Sequence, residues 1–178
     1  MKIKIKTIKE IADYFFALYI RQRDNFTCVI CGSKAKPQCG HLFSRQYINT
    51  RYDESNAFCQ CASCNILHKY NQYPYFKFFL EKFSKNKLDN LYKSAIIKSK
   101  WDINFYLGKA LYYYNKCDKI NNDRFLFFER RLKKYDKQIK DGRYERIPKK
   151  VSVKKQNKRE DKKSNLVCRK GNKKAGKC

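Results

Sequence analysis

Acidic side chains are scarce in this sequence: 16 Asp and Glu stand against 43 Lys and Arg, a formal net charge of +27 over 178 residues. An excess of that size calls for a partner rich in phosphates. AT-rich coding also enriches Lys, so charge raises this expectation without establishing it. Long apolar runs are missing as well. The longest, Tyr14 to Ile20, falls well short of the about 20 residues that cross a bilayer, and Asp13 and Arg21 close it. No membrane partner is expected. The opening MKIKIKTIKE has neither the apolar stretch nor the small-residue cleavage site of a secretory signal. A reducing, cytoplasmic setting is therefore expected, which argues against disulfides among the nine cysteines. There is no internal repeat and no Gly-rich phosphate loop.

Against these absences stand two CxxC pairs, Cys28-x2-Cys31 and Cys61-x2-Cys64, about thirty residues apart. A two-residue gap lets both thiolates of a pair reach one ion, and two such pairs have the spacing of a four-thiolate structural zinc site. Cys39 and Cys59 are alternative ligands, or small buried apolar residues; Cys117 has no partner at that spacing, and Cys168 and Cys178 read as exposed tail thiols.

Helical periodicity is clear. Ile8, Ile11, Ala12, Phe15, Leu18 and Tyr19 predict an amphipathic helix over 7–23. Three further helices are expected around Phe76, Phe79, Leu80 and Phe83, from Ile103 to Tyr114, and from Phe125 to Ile139, with a weaker one over 88–98. Their aromatic stripes are read as core rather than as platforms for unpaired bases. Between the first helix and these, short extended segments at Phe26–Ile30 and Gln38–Phe43 followed by a helix over 61–70 give the order strand, strand, helix. The expected class is α+β: a small zinc-clamped ββα-metal module inside a mostly helical domain. Its parts are a scaffold helix in 1–25, the module in 26–72, a helical extension in 73–147 and a disordered basic tail in 148–178. Residues 149–178 hold eleven Lys and two Arg against Glu160 and Asp161, with few aliphatics. Such a segment buries too little apolar surface to offset chain entropy. It is either an electrostatic arm for nucleic acid or simply a solvated tail.

Three polar residues accompany the cysteines: His41 on an expected strand, Asn56, and Asn65 directly after Cys64. Phosphodiester hydrolysis needs a base to activate water, a divalent cation to neutralise developing charge, and groups that fix their orientation. Histidine serves as the first near neutral pH, and amide oxygens suit Mg²⁺. Without their neighbours, Asn56 and Asn65 would be ordinary turn and cap residues.

The pattern CxxC, Gly40-His41, Asn56, Cys61-x2-Cys64-Asn65 resembles the HNH (ββα-metal) endonuclease superfamily in its H-N-N form. With Tyr19-Ile20-Arg21-x-Arg23-Asp24, Ser44-Arg45 and Arg51-Tyr52-Asp53 it is similar to the phage NinG/Rap recombination endonucleases, over about residues 10–83. The resemblance implies a metal-dependent DNA endonuclease, structure-specific and acting on branched recombination intermediates such as Holliday junctions. It would work in the host cytoplasm if phage-encoded. His41 would be the general base, Asn56 would hold the loop and imidazole, and Asn65 would bind catalytic Mg²⁺ or Mn²⁺. Cys28, Cys31, Cys61 and Cys64 would hold Zn²⁺. Many members carry Asp or His immediately before the base as a metal ligand. Gly40 stands there, so the second ligand falls to Asp53, to His68, or to His41 itself acting as ligand instead of base. Arg45 and Arg51 are expected to contact phosphates or to pair with Asp53 or Glu54. His68, three residues beyond Asn65, reads as a surface residue before it reads as a ligand. Cutting both strands of a symmetric junction implies a homodimer. The competing reading is a non-catalytic zinc-ribbon protein that binds nucleic acid.

Overall fold

The computed structural model describes residues 5–142; the predicted tail, 148–178, lies outside the described residues. Helix α1 (Ile5–Arg23) covers the predicted span, with Ile8, Ile11, Ala12, Phe15, Phe16, Leu18 and Ile20 all buried. It ends in Arg21 and Arg23, cations suited to the negative end of the helix dipole. Arg23 also ties α1 to the chain some thirty residues on, donating to the carbonyls of Glu54 (2.8 Å) and Ala57 (2.8 Å) while Asp24 accepts from the Cys59 N–H (2.7 Å).

A two-stranded antiparallel sheet comes next. β1 (Pro37–His41) pairs with β2 (Ala57–Cys61) in a register that sets Gly40 opposite Phe58 and His41 opposite Ala57. A single 3₁₀ turn, Ile48–Thr50, lies in the connection. The sheet differs from expectation in one strand. Phe26–Ile30 is not part of it, although the Val29 N–H donates to the Cys59 carbonyl (2.9 Å). Residues three apart on an extended strand point to opposite faces, so one ion cannot be gripped by an extended Cys28-x2-Cys31. The chain instead folds back. Asn25, Phe26 and Gly32 have φ of 51°, 54° and 73°, and the Gly32 N–H reaches the Cys28 carbonyl at 2.8 Å.

Helix α2 (Ala62–Leu67) leaves β2 at once, its N-terminus capped by Cys61 Sγ accepting from the Cys64 N–H. The remaining helices are α3 (Tyr73–Lys82), α4 (Lys85–Ile96), α5 (Ile103–Lys116) and α6 (Asp123–Lys140). Ser84, Asp102 and Asn122 cap the last three in the usual way, each side-chain oxygen accepting an N–H three residues on. The aromatic stripes are core: Phe79, Tyr106, Tyr113, Phe125 and Tyr135 are all buried.

Two apolar clusters cover the two faces of the sheet. The larger joins α1, α5 and α6 and takes in Tyr52 and Ala57; the smaller joins Leu42 and Phe58 to Tyr75 and Phe79 of α3 and Leu91 of α4. Every residue of β2 is consequently buried. Among the described residues no helix is long and apolar enough to cross a membrane.

Candidate functional site

The fold-back at Cys28–Cys31 and the turn from β2 into α2 bring the two cysteine pairs together. The four sulfurs of Cys28, Cys31, Cys61 and Cys64 all lie within 4.8 Å of one another. A tetrahedron of 2.3 Å Zn–S bonds has edges of about 3.8 Å, and Cys31 Sγ to Cys61 Sγ is 3.7 Å. The cluster can therefore bind a metal ion such as zinc. Burial raises the Cys28 thiol, but N–H groups at Cys61, Cys31 and Ile30 outweigh it and bring the thiol down to about 7. Cys28 therefore takes the first negative charge, while Cys31 and Cys64 are raised, Cys64 by burial first, so a bound metal would have to displace their protons. Cys39 and Cys59 stand apart, and burial pushes them up to about 12 and about 11. They behave as small apolar residues.

His41 ends β1, half-buried, its ring 5.7 Å from that of Phe16. Its Nε2 lies 3.0 Å from the Arg51 carbonyl. A carbonyl only accepts, so Nε2 carries the proton and Nδ1 keeps its lone pair. Burial is the main cause of a low pKa, brought down to about 4. The Arg51 carbonyl opposes this, and the charges of Arg45 and Arg51 add to it. At neutral pH the imidazole is uncharged.

Asn56 is fully buried and closes the 43–56 loop on itself. Its Oδ1 accepts from the Phe43 N–H (2.8 Å), and its Nδ2 donates to the carbonyls of Phe43 (2.9 Å) and Thr50 (2.9 Å). Thr50 precedes Arg51, so the side chain that pins Thr50 also sets the carbonyl that orients His41. Asn56→Ala strands the buried Thr50 carbonyl and two part-buried groups of Phe43, and at roughly 1–3 kcal/mol for a fully buried group the loss of stability should be about 2–4 kcal/mol. Denaturant unfolding of the two proteins measures it.

Arg51 faces inward. Only 7% exposed, it forks onto Asp13 of α1 and donates to the Arg45 carbonyl, while Tyr52 also donates to Asp13 (2.9 Å). Its carboxylate partner is thus Asp13, not the Asp53 or Glu54 expected from sequence, and its guanidinium is used within the fold. Arg45 is exposed. Asp53 accepts from the N–H and hydroxyl of Ser55 and lines a different cavity, beside Tyr52, Glu54 and Trp101. It does not line the His41 cleft.

That cleft, about 400 Å³, opens where β1 ends and is lined by His41, Ser44, His68, Lys69, Gln72 and Tyr92, among others. His68, immediately after α2, therefore shares a wall with His41. Burial lowers its pKa and the adjacent Leu42 carbonyl raises it in opposition. Lys69, exposed at the cleft, had no signal in sequence beyond being one lysine among many. Asn65 lies on α2 over the start of β1, its Nδ2 donating to Gln38 Oε1 at 2.7 Å. This leaves the Asn65 amide oxygen uncommitted among the described residues, a donor of the kind Mg²⁺ and Mn²⁺ take.

Compared with known proteins, residues 1–123 match the family model described as bacteriophage Lambda NinG protein. No curated protein and no solved structure gives a match.

Proposed function

This chain belongs to the bacteriophage Lambda NinG family, and from that premise we propose that it is a metal-dependent DNA endonuclease of HNH type, acting on branched recombination intermediates. The observation that carries the reading is the His41 tautomer: a neutral imidazole with Nε2–H anchored on the Arg51 carbonyl and Nδ1 free, at a cleft a phosphate can enter. Nδ1 takes the proton from the attacking water as its oxygen closes on phosphorus and the P–O bond to the leaving oxygen breaks, that oxygen drawing its proton from solvent. Asn56 and the Arg51–Asp13 pair keep the anchoring carbonyl in place, so the ring does not reorient during proton transfer. Arg45 and Lys69 supply positive charge for flanking phosphates, with Arg51 acting from behind as a positioning residue. Asn65, on the helix that leads to His68 at the cleft wall, would help hold a divalent cation, which would supply charge neutralisation at the phosphoryl and leaving oxygens. The four-cysteine site is structural: its zinc would fix β2 and α2, and with them the height of Asn65 over β1.

The pH profile gives a test specific to His41. The kcat/KM profile reports the free enzyme, so its acid limb should lie well below the ordinary histidine value of 6.5, toward 4. Folding stability is linked in the same window. Unfolded His41 binds a proton near 6.5 and folded His41 only near 4, so stability is complete above 6.5 and declines as pH falls toward 4. The decline is of order 1–3 kcal/mol. A limb at 6.5 or above that disappears on mutating His68, but not His41, would reassign the base. The activity itself is tested by incubating zinc-loaded protein with labelled four-way junction, flap and linear duplex DNA, with and without Mg²⁺ or Mn²⁺. Metal-dependent cutting with preference for the branched forms is expected; a preference for linear duplex would remove the recombination substrate. Two-strand cutting of a symmetric junction would further require a homodimer on the DNA.

A further inference from the structure

One face of the sheet carries an oxygen with nothing to bind. Gln60, 1% exposed on β2, has its Oε1 buried and without a hydrogen-bond partner, and the same is true of Nδ1 of His68. Both residues line one small cavity of about 140 Å³, together with Cys64, Leu67, Asn71 and Tyr75. An unpaired buried acceptor is costly and rare; two acceptors facing one cavity ask for a shared partner, a water that donates to both or a cation.

Gly40 explains how the oxygen reaches its position. A Cβ built on Gly40 would come within 2.0 Å of Gln60 Oε1, so the Gln60 carboxamide fills the space that any side chain at position 40 would occupy. The Gly40 carbonyl is meanwhile taken by the Tyr75 hydroxyl at 2.9 Å. His68 is tautomerically ready, because its ring faces the Leu42 carbonyl. That carbonyl can only accept, and with Nδ1 unpartnered the proton sits on Nε2, leaving the Nδ1 lone pair for a cation. His68 also lines the His41 cleft, so a cation in the smaller cavity would adjoin the space where the phosphate is cut.

We propose that Gln60, through its carboxamide oxygen, is a ligand of the catalytic divalent cation, with His68 Nδ1 beside it, taking the place left by the side chain that Gly40 lacks. The proposal rests on the metal-dependent nuclease reading and names the ligands of its cation. One nitrogen and one neutral amide oxygen, completed by water, suit Mn²⁺ or Mg²⁺ and give modest affinity because no carboxylate contributes.

The experiment is Mn²⁺ binding to the zinc-loaded full chain, followed by the EPR signal of free Mn²⁺, with zinc content and thermal melting recorded for each variant. Wild type should bind one Mn²⁺ beyond the zinc. Gln60→Ala and His68→Ala should each weaken it at least tenfold at unchanged zinc content. Gln60→Glu, which keeps the shape and adds a charge, should tighten it at least tenfold. Gly40→Asp placed in the Gln60→Ala background, where the space is free, should restore binding from the opposite strand. Mn²⁺ affinity equal to wild type in Gln60→Ala and Gln60→Glu would overturn the Gln60 assignment while leaving the nuclease reading intact. Wild type that binds no Mn²⁺ and cuts no DNA would overturn the nuclease reading itself, and the ligand assignment with it.

Discussion

Cys61→Ser should cost this protein its zinc and with it the fold from Cys28 to His68. Apparent zinc-binding free energies in small four-ligand sites run to about 10–16 kcal/mol, whereas the whole stability of a domain is about 5–15 kcal/mol. The sheet is also held by the two apolar clusters and by Arg23 and Asp24, but the Cys28–Cys31 turn and α2 have the cluster as their main tie. The sheet has two strands of five residues, and α2 has six residues and no buried side chain of its own. Neither element is stable alone at that length. Cys61 is also doubly placed, since its sulfur caps α2. The expected outcome is one zinc per chain in wild type by elemental analysis, none tightly held in Cys61→Ser, and loss of the cooperative melt in that variant. Cys39→Ala is the control. Its thiol lies outside the cluster and is held protonated by burial, so it should keep its zinc. Zinc lost from Cys39→Ala and kept by Cys61→Ser would move the ligand set.

His41→Ala should lower the cleavage rate by about a hundred- to ten-thousandfold, the usual contribution of a positioned base, with DNA affinity changed by no more than a few fold. The substitution removes the Nδ1 lone pair and the hydrogen bond to the Arg51 carbonyl together. A purely structural histidine would show itself in a lower melting temperature and reduced zinc content in proportion to lost activity. A base would not, and added imidazole entering the vacated space beside Phe16 should restore part of the rate. Rate loss without rescue, accompanied by weaker Mn²⁺ binding, would make His41 a metal ligand instead.

How much of this could be read from the residues alone depended on which physical signal each carried. The helices were legible because apolar residues recur at 3.6. The cysteine cluster was legible because CxxC spacing is itself a geometric statement. β2 was not: Ala57–Cys61 is buried on both faces, so Ala-Phe-Cys-Gln-Cys shows no alternation of polar and apolar residues. Phe26–Ile30 looked like a strand for the converse reason, an apolar run whose real conformation is dictated by the need to turn Cys28 and Cys31 toward one point. At the site, His41 and Asn56 were singled out by the motifs beside them. Asp13, the partner of Arg51, sits in α1 thirty-eight residues away, and nothing in its helical context marks it. Gln60 stood in the run Gln60-Cys61-x2-Cys64-Asn65 with no role attached to it. Its meaning comes from Gly40 across the sheet, a relation between strands that appears only once the register is known.

Side-by-side cleavage of a labelled four-way junction by wild type and His41→Ala, matched for zinc content and DNA affinity, is the most direct test. Divalent metal should be omitted or added rather than chelated, since a strong chelator would also take the zinc. Mg²⁺- or Mn²⁺-dependent cutting by wild type that falls at least a hundredfold in His41→Ala is the expected result. Equal rates in the two proteins would contradict the His41 mechanism, and no cutting by either, with DNA still bound, would make this a zinc-stabilised binding protein.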